Sequence, residues 1–178
     1  LFNTSDNTIG GDTPESRNLI SGNSAEGVRI ETDGATPSDG NKVLNNFIGV
    51  DVNSASVGND SDGVRLHGAT NTTIGDAGSG NVIAGNGGFG VRITSPVSSI
   101  ATDNGVSGNV IGTDVNGEQA VGNARAGVLI LGADDNVIGG MFGSEGNLIS
   151  GNLGDARQLY IFSLLACLSV SRKRIGGK

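Results

Sequence analysis

Three arginines occupy one place in a recurring four-residue word: Arg29 in GVRI, Arg65 in GVRL and Arg92 in a second GVRI. A fourth copy, GVLI, has Leu129 there. A guanidinium is planar, permanently charged and able to hold a carboxylate through two parallel hydrogen bonds, so a row of them is an anion-binding face. One alternation further on stand Glu31, His67 and Thr94, which would line the same face. The competing reading is that these arginines are solvated strand residues whose mutual repulsion is offset by neighbouring carboxylates, since surface charge pairs carry little energy. A second set lies in two related loops, DVNSASVGND and DVNGEQAVGN, which start at Asp51 and Asp114. Their spaced oxygens, from Asp51, Asn53, Asp114 and Asn116, are candidate ligands for calcium, the one cofactor the chain suggests. Against this, the ligand pattern differs between the two copies, no closing Glu follows, and Asp, Asn and Gly are the ordinary residues of turns.

The elements that must position these residues are repeats. NLISGNSAEGVRI from Asn18 matches NVIAGNGGFGVRI from Asn81, and NFIGVDVNSASVGNDSDGVRL from Asn46 matches NVIGTDVNGEQAVGNARAGVLI from Asn109, both at an offset of 63 residues. A third copy opens with NVIGGMFGSEGNLISGN from Asn136, echoing NTIGGDTPESRNLISGN from Asn7. The valines of the four words fall at Val28, Val64, Val91 and Val128, so the spacings are 36, 27 and 37 residues and two unequal rungs make one unit of about 64 residues. Each word alternates apolar and variable residues, the period of a strand with one buried face. Segments this short cannot make a stable hairpin sheet alone. Stacked as rungs of a coil they can, each bonded to the next at about 4.8 Å with like residues superposed.

This reading predicts an all-β fold, a parallel β-helix or solenoid with about two rungs per repeat. Val28, Val64, Val91 and Val128 form one inward ladder, and Ile30, Leu66, Ile93 and Ile130 the next. Composition agrees: 32 glycines in 178 residues and 3% aromatics leave little to fill a conventional core, yet 35% hydrophobic residues is too much for a disordered chain. Asn23, Asn86 and Asn152 close the same word in three copies and are expected to be structural, their amides stacking along the axis and their backbones tolerating the left-handed region. Asn3, Asn59 and Asn71 match the glycosylation acceptor pattern, a match that a repeat so rich in Asn, Ser and Thr produces by chance.

The words N-x-I-x-G-N, G-V-x-I, I-G-T-D and N-T-I-G-G over residues 7–152 resemble the right-handed parallel β-helix repeat proteins of the pectin-lyase-like superfamily. The resemblance implies a right-handed coil and a location outside the cell, secreted or at the cell surface. It implies two functional classes. Simple near-identical repetition is most like the non-catalytic repeats of large secreted bacterial proteins, which implies a structural or passive binding region. Other members are pectate lyases, polygalacturonases and alginate epimerases, which implies an acidic polysaccharide, held along the Arg29, Arg65 and Arg92 face with His67 nearby. Glycoside hydrolysis needs two carboxylates on one groove. ADDN at 133–136 and LHGA at 66–69 look like fragments of the polygalacturonase pattern, but His67 precedes Asp134 and Asp135, lacks a flanking GHG, and no Arg-x-Lys follows in the repeat body. Asp134 and Asp135 instead read as a turn before Val137 and Ile138, and the enzymatic reading is the weaker one.

Charge divides the chain. Residues 1–152 carry 6 basic and 17 acidic side chains, whereas 153–178 carry 5 basic and 1 acidic. An acidic body argues against nucleic acid as a partner. The single Cys167 allows no internal disulfide. No stretch of about 18 apolar residues is present to span a bilayer, and no basic segment with an apolar run opens the chain. The chain is expected to be an internal or C-terminal piece of a longer protein, its partners neighbouring rungs of the same coil and a polysaccharide. Residues 1–152 are the repeat body; 153–178 are a divergent tail, read as a cap, a surface anchor or a non-native ending.

Overall fold

The computed structural model describes residues 1–140, 144–154 and, as backbone, 170–171. The tail readings for the remaining residues, Cys167 among them, lie outside the described residues. The chain winds as a parallel β-helix. Its first turn holds β1 (Thr8–Gly10), β2 (Leu19–Ile20) and β3 (Val28–Glu31). The second holds β4 (Lys42–Leu44), β5 (Phe47–Ile48) and β6 (Val64–His67). The third holds β7 (Thr73–Ile74), β8 (Val82–Ile83) and β9 (Val91–Thr94). The fourth holds β10 (Gly105–Val106), β11 (Val110–Ile111) and β12 (Val128–Leu131). A fifth begins with β13 (Val137–Ile138) and β14 (Asn147–Ile149), and β15 (Val170–Ser171) pairs with β14. The strands form three sheets, ordered β1-β4-β7-β10-β13, β2-β5-β8-β11-β14-β15 and β3-β6-β9-β12. Among the described residues the only helical piece is a 3-10 turn at Pro14–Ser16.

Each sheet faces the axis with one aliphatic ladder or two. In the third sheet Val28, Val64, Val91 and Val128 are in register, as are Ile30, Leu66, Ile93 and Ile130, and all are buried. They meet Val43, Ile74, Val106 and Ile138 of the first sheet and Ile48, Ile83 and Ile111 of the second in a single cluster. Burying one such side chain contributes about 1.5–3 kcal/mol, so stacking supplies a core that no isolated turn could have. The bore of the coil takes aliphatic residues only, Val, Ile and Leu with Ala69, Ala101 and Ala133; the buried Phe47 and Phe89 sit in separate clusters.

The corners are held by asparagines. Before the second sheet runs the series Asn18, Asn46, Asn81, Asn109 and Asn147. Asn81 shows the pattern: its Oδ1 accepts the backbone N–H of Asn46 at 2.9 Å and the Asn46 side-chain amide at 3.1 Å. Its own Nδ2 donates to Val43 O, one turn back, at 2.8 Å and to Asn109 Oδ1, one turn on, at 2.9 Å. Each of the three inner amides thus ties three turns and leaves no buried donor unmet, which neither Asp nor a longer Gln reproduces. A second series, Asn23, Asn59, Asn86, Asn123 and Asn152, turns the chain toward the third sheet. A third precedes the first sheet through Asn7, Asn41, Asn104 and Asn136, with Thr72 taking the middle place.

The glycine of each word answers to these ladders. A Cβ on Gly63 would stand 2.5 Å from Ile83 Cγ2 and 2.9 Å from Asn86 Nδ2, so only glycine lets the next turn pass. Gly49, after β5, has φ +85°, and its Cβ would meet Ala84 O at 2.2 Å. The unequal rung lengths also have a cause. Long arcs alternate: residues 32–41 and 95–104 leave the third sheet on odd turns, and 49–63 and 112–127 leave the second sheet on even turns. Arcs of the same kind then touch across the intervening turn, Ser98 Oγ donating to Asp33 O at 3.3 Å and Val115 N to Ser54 Oγ at 3.2 Å. The 63-residue period is therefore two turns whose protrusions never compete for the same height.

Candidate functional site

The outward face of the third sheet carries the arginines as expected: Arg29, Arg65, Arg92 and Leu129 are register partners on β3, β6, β9 and β12. Alternation along each strand, with Val and Ile turned to the axis, forces them outward. Each arginine has a carboxylate. Arg29 Nε donates to Glu31 Oε2 at 2.7 Å, Arg65 Nη1 to Glu26 Oε1 at 3.0 Å, and Arg92 Nη1 lies 3.7 Å from Asp62 Oδ2. The last is an ion pair without a hydrogen bond; Asp62 Oδ2 and the Nε atoms of Arg65 and Arg92 are buried and have no hydrogen-bond partner. Asp62 spends its other oxygen on the backbone N–H of Phe89 at 2.9 Å. Burial alone would push the Glu26 carboxyl up, but its own backbone amide, the Arg65 hydrogen bond and the charges of Arg65 and Arg29 hold it below its ordinary value.

His67 sits in register between Glu31 and Thr94, its Nδ1 2.9 Å from Thr94 Oγ1. Burial first, then the Arg65 charge, with smaller parts from Arg29 and Arg92, hold its pKa below the usual value against the pull of Glu31. The shift favours the neutral imidazole, set in a column that otherwise holds three arginines and their three carboxylate partners. Toward the fourth turn the face becomes apolar: Leu129 is buried against Phe89 and Ala126. The guanidinium carbons of Arg92 and Arg125 lie 5.9 and 5.4 Å from the Phe89 ring centroid. Sequence reasoning did not single out Phe89, Arg125 or Glu26, and it placed Asp62 only among the oxygens of the first loop. Glu26, Asp62 and Phe89 share the place before the Gly of each word, but the variable residue type there hides the pairing with the next turn.

The proposed calcium ligands sit within the two even-turn arcs, in the short loops closed by the Val50–Ser56 and Thr113–Ala120 bridges. Asp51 Oδ1 accepts the N–H groups of Asn53 and Ala55, both at 2.8 Å, and Asp114 Oδ1 those of Glu118 at 2.7 Å and Gln119 at 3.0 Å. These carboxylates staple their own loops, as Asp does in turns. Among the described residues no group of three or more His, Cys, Asp or Glu side chains converges on one point. His67 belongs to the second turn, whereas Asp134 and Asp135 lie on the corner after β12 in the fourth; Asp135 takes φ +50° in the turn before β13.

The asparagines reward the sequence reading and extend it. Asn23, Asn86 and Asn152 stack as expected, joined by Asn59 and Asn123, which precede the valine of their words by the same five residues. Asn59 is 1% exposed and donates both amide hydrogens, to Ile20 O and Asn86 Oδ1, so its acceptor pattern is a coincidence of the ladder. Asn71, by contrast, is exposed. No family model, no curated protein and no solved structure matches the chain.

Proposed function

We propose that the repeat body is a structural segment, a stalk or passive binding surface, of a secreted or cell-surface protein. One observation carries this reading: the residues that could do chemistry are already engaged within the coil. All three column arginines have a carboxylate partner, and both loop aspartates hold backbone amides. The resemblance of the repeat words to pectin-lyase-like coils supports a place outside the cell. The in-register guanidinium column supports a second reading, an acidic-polysaccharide-binding or -processing module, in which a polyuronate would replace Glu26, Glu31 and Asp62 as the counter-charge.

A carbohydrate array probed with the intact chain, followed by calorimetric titration with pectate and alginate at low salt, separates the two. The structural reading expects no binding, because the acidic body repels polyanions at long range and the column is internally neutralised. Binding that weakens as salt rises and disappears in Arg65→Ala would establish the polysaccharide reading instead.

A further inference from the structure

The chain contains three Asn-Gly pairs, Asn86-Gly87, Asn104-Gly105 and Asn116-Gly117. In such a pair the glycine nitrogen can attack the asparagine Cγ, because no Cβ on the following residue shields it; ammonia leaves as the ring closes. Water then opens the succinimide to aspartate or its β-linked isomer, so one amide is exchanged for one carboxylate with no oxidant or cofactor. Chemistry alone makes the three pairs equal.

The fold does not. Asn86 and Asn104 are each 1% exposed and belong to ladders. Asn86 Nδ2 donates to Asn123 Oδ1 at 2.8 Å while its Oδ1 accepts from Asn59 Nδ2 at 2.8 Å, and Gly87 N is bonded to Asn59 O at 2.8 Å. Asn104 Nδ2 donates to Asn136 Oδ1 at 2.8 Å and Ala69 O at 2.9 Å, and Gly105 N to Thr72 O at 2.9 Å. For either to react, neighbouring turns must separate. Asn116 is exposed in the loop closed by the Thr113–Ala120 bridge, and Gly117, buried against Leu148, gives its N–H to Asp114 O at 3.0 Å within that same loop, so no ladder bond ties the pair to another turn. In the first copy Asn53 is followed by Ser54 in place of Gly117, at a like φ of +63°, so only the second arc has the reactive pair.

We propose that Asn116 is a self-modification site, where conversion to a carboxylate adds a charge beside Asp114 and Glu118 on the outer arc while the identical dipeptides in the ladders stay intact. The intact chain is incubated in mildly alkaline buffer, folded and in urea, and the three asparagine-to-acid conversions are followed by peptide mass mapping. In urea all three should convert at similar rates. In the folded chain Asn86 and Asn104 should slow by more than about a hundredfold, since their opening is that of the coil, and Asn116 by less than about tenfold, since its opening is local. Asn116→Gln should remove the early charge change without moving the urea midpoint. Equal protection of Asn116 and the ladder asparagines, early conversion at Asn86 or Asn104, or an early charge change surviving in Asn116→Gln would each overturn the inference.

Discussion

The corner ladders and the outward arginine column are both rows of like polar residues stacked at about 4.8 Å, yet they do opposite things with their hydrogen bonds. In the corners each Asn is donor and acceptor at once, so identical residues satisfy one another and the row extends without limit. Guanidinium groups only donate, so the arginines repel along the column and each turns to a carboxylate on its own turn or the one before. The lesson is that repetition binds turns together only where the repeated group complements itself. The corners should therefore carry stability, and the column should carry little.

The harshest way to break this comparison is on a single strand. Val91→Asp places an unpaired carboxylate in a fully buried ladder and should leave the chain unfolded at neutral pH, whereas Arg92→Ala, one residue on, should leave a cooperative β-rich transition by circular dichroism. Next, Asn81→Ala removes two donated bonds and orphans the N–H groups of Asn46, so urea unfolding should show a loss of about 3 kcal/mol or more. Arg65→Ala strips the nearly buried Glu26 of its partner, but the carboxyl lies close enough to solvent to rehydrate; the same measurement should give about 1 kcal/mol. The smallest effect belongs to His67. Its folded pKa is depressed, so the neutral form is favoured by folding: its contribution is present above the ordinary histidine range and is lost as pH falls through the folded value. Stability followed across that window should fall with acidification, and His67→Gln should flatten the fall.

The fold was legible because its signals are local and repeated. Val28, Val64, Val91 and Val128 announce the strand, and the 63-residue offset announces the stacking. Legible too were Asn23, Asn86 and Asn152, since the same word ends at each. Less visible was that Asn59 and Asn123 complete that ladder, because the long even-turn arcs displace them from the word and only their distance to the next Gly-Val betrays them. The arginine column was read in its correct register and its repulsion as offset by neighbouring carboxylates, but which carboxylates was not legible. Glu26 and Asp62 approach from the segments leading into β3 and β6, and meet Arg65 and Arg92 on the following turn, a relation that exists only once the coil is wound. The alternating arcs were visible as unequal spacings; that they brace one another across a turn was not.

Hydrogen exchange at side-chain amides, followed by NMR on the intact folded chain, tests most directly whether the corners hold the turns together. The Nδ2 protons of Asn46, Asn59, Asn81, Asn86, Asn109 and Asn123, each with a neighbour above and below, should exchange as slowly as the strand amides of β6 and β9. The guanidinium protons of Arg29, Arg65 and Arg92 should exchange far faster. Asparagine side chains that exchange like free amides, alongside protected arginines, would contradict the account.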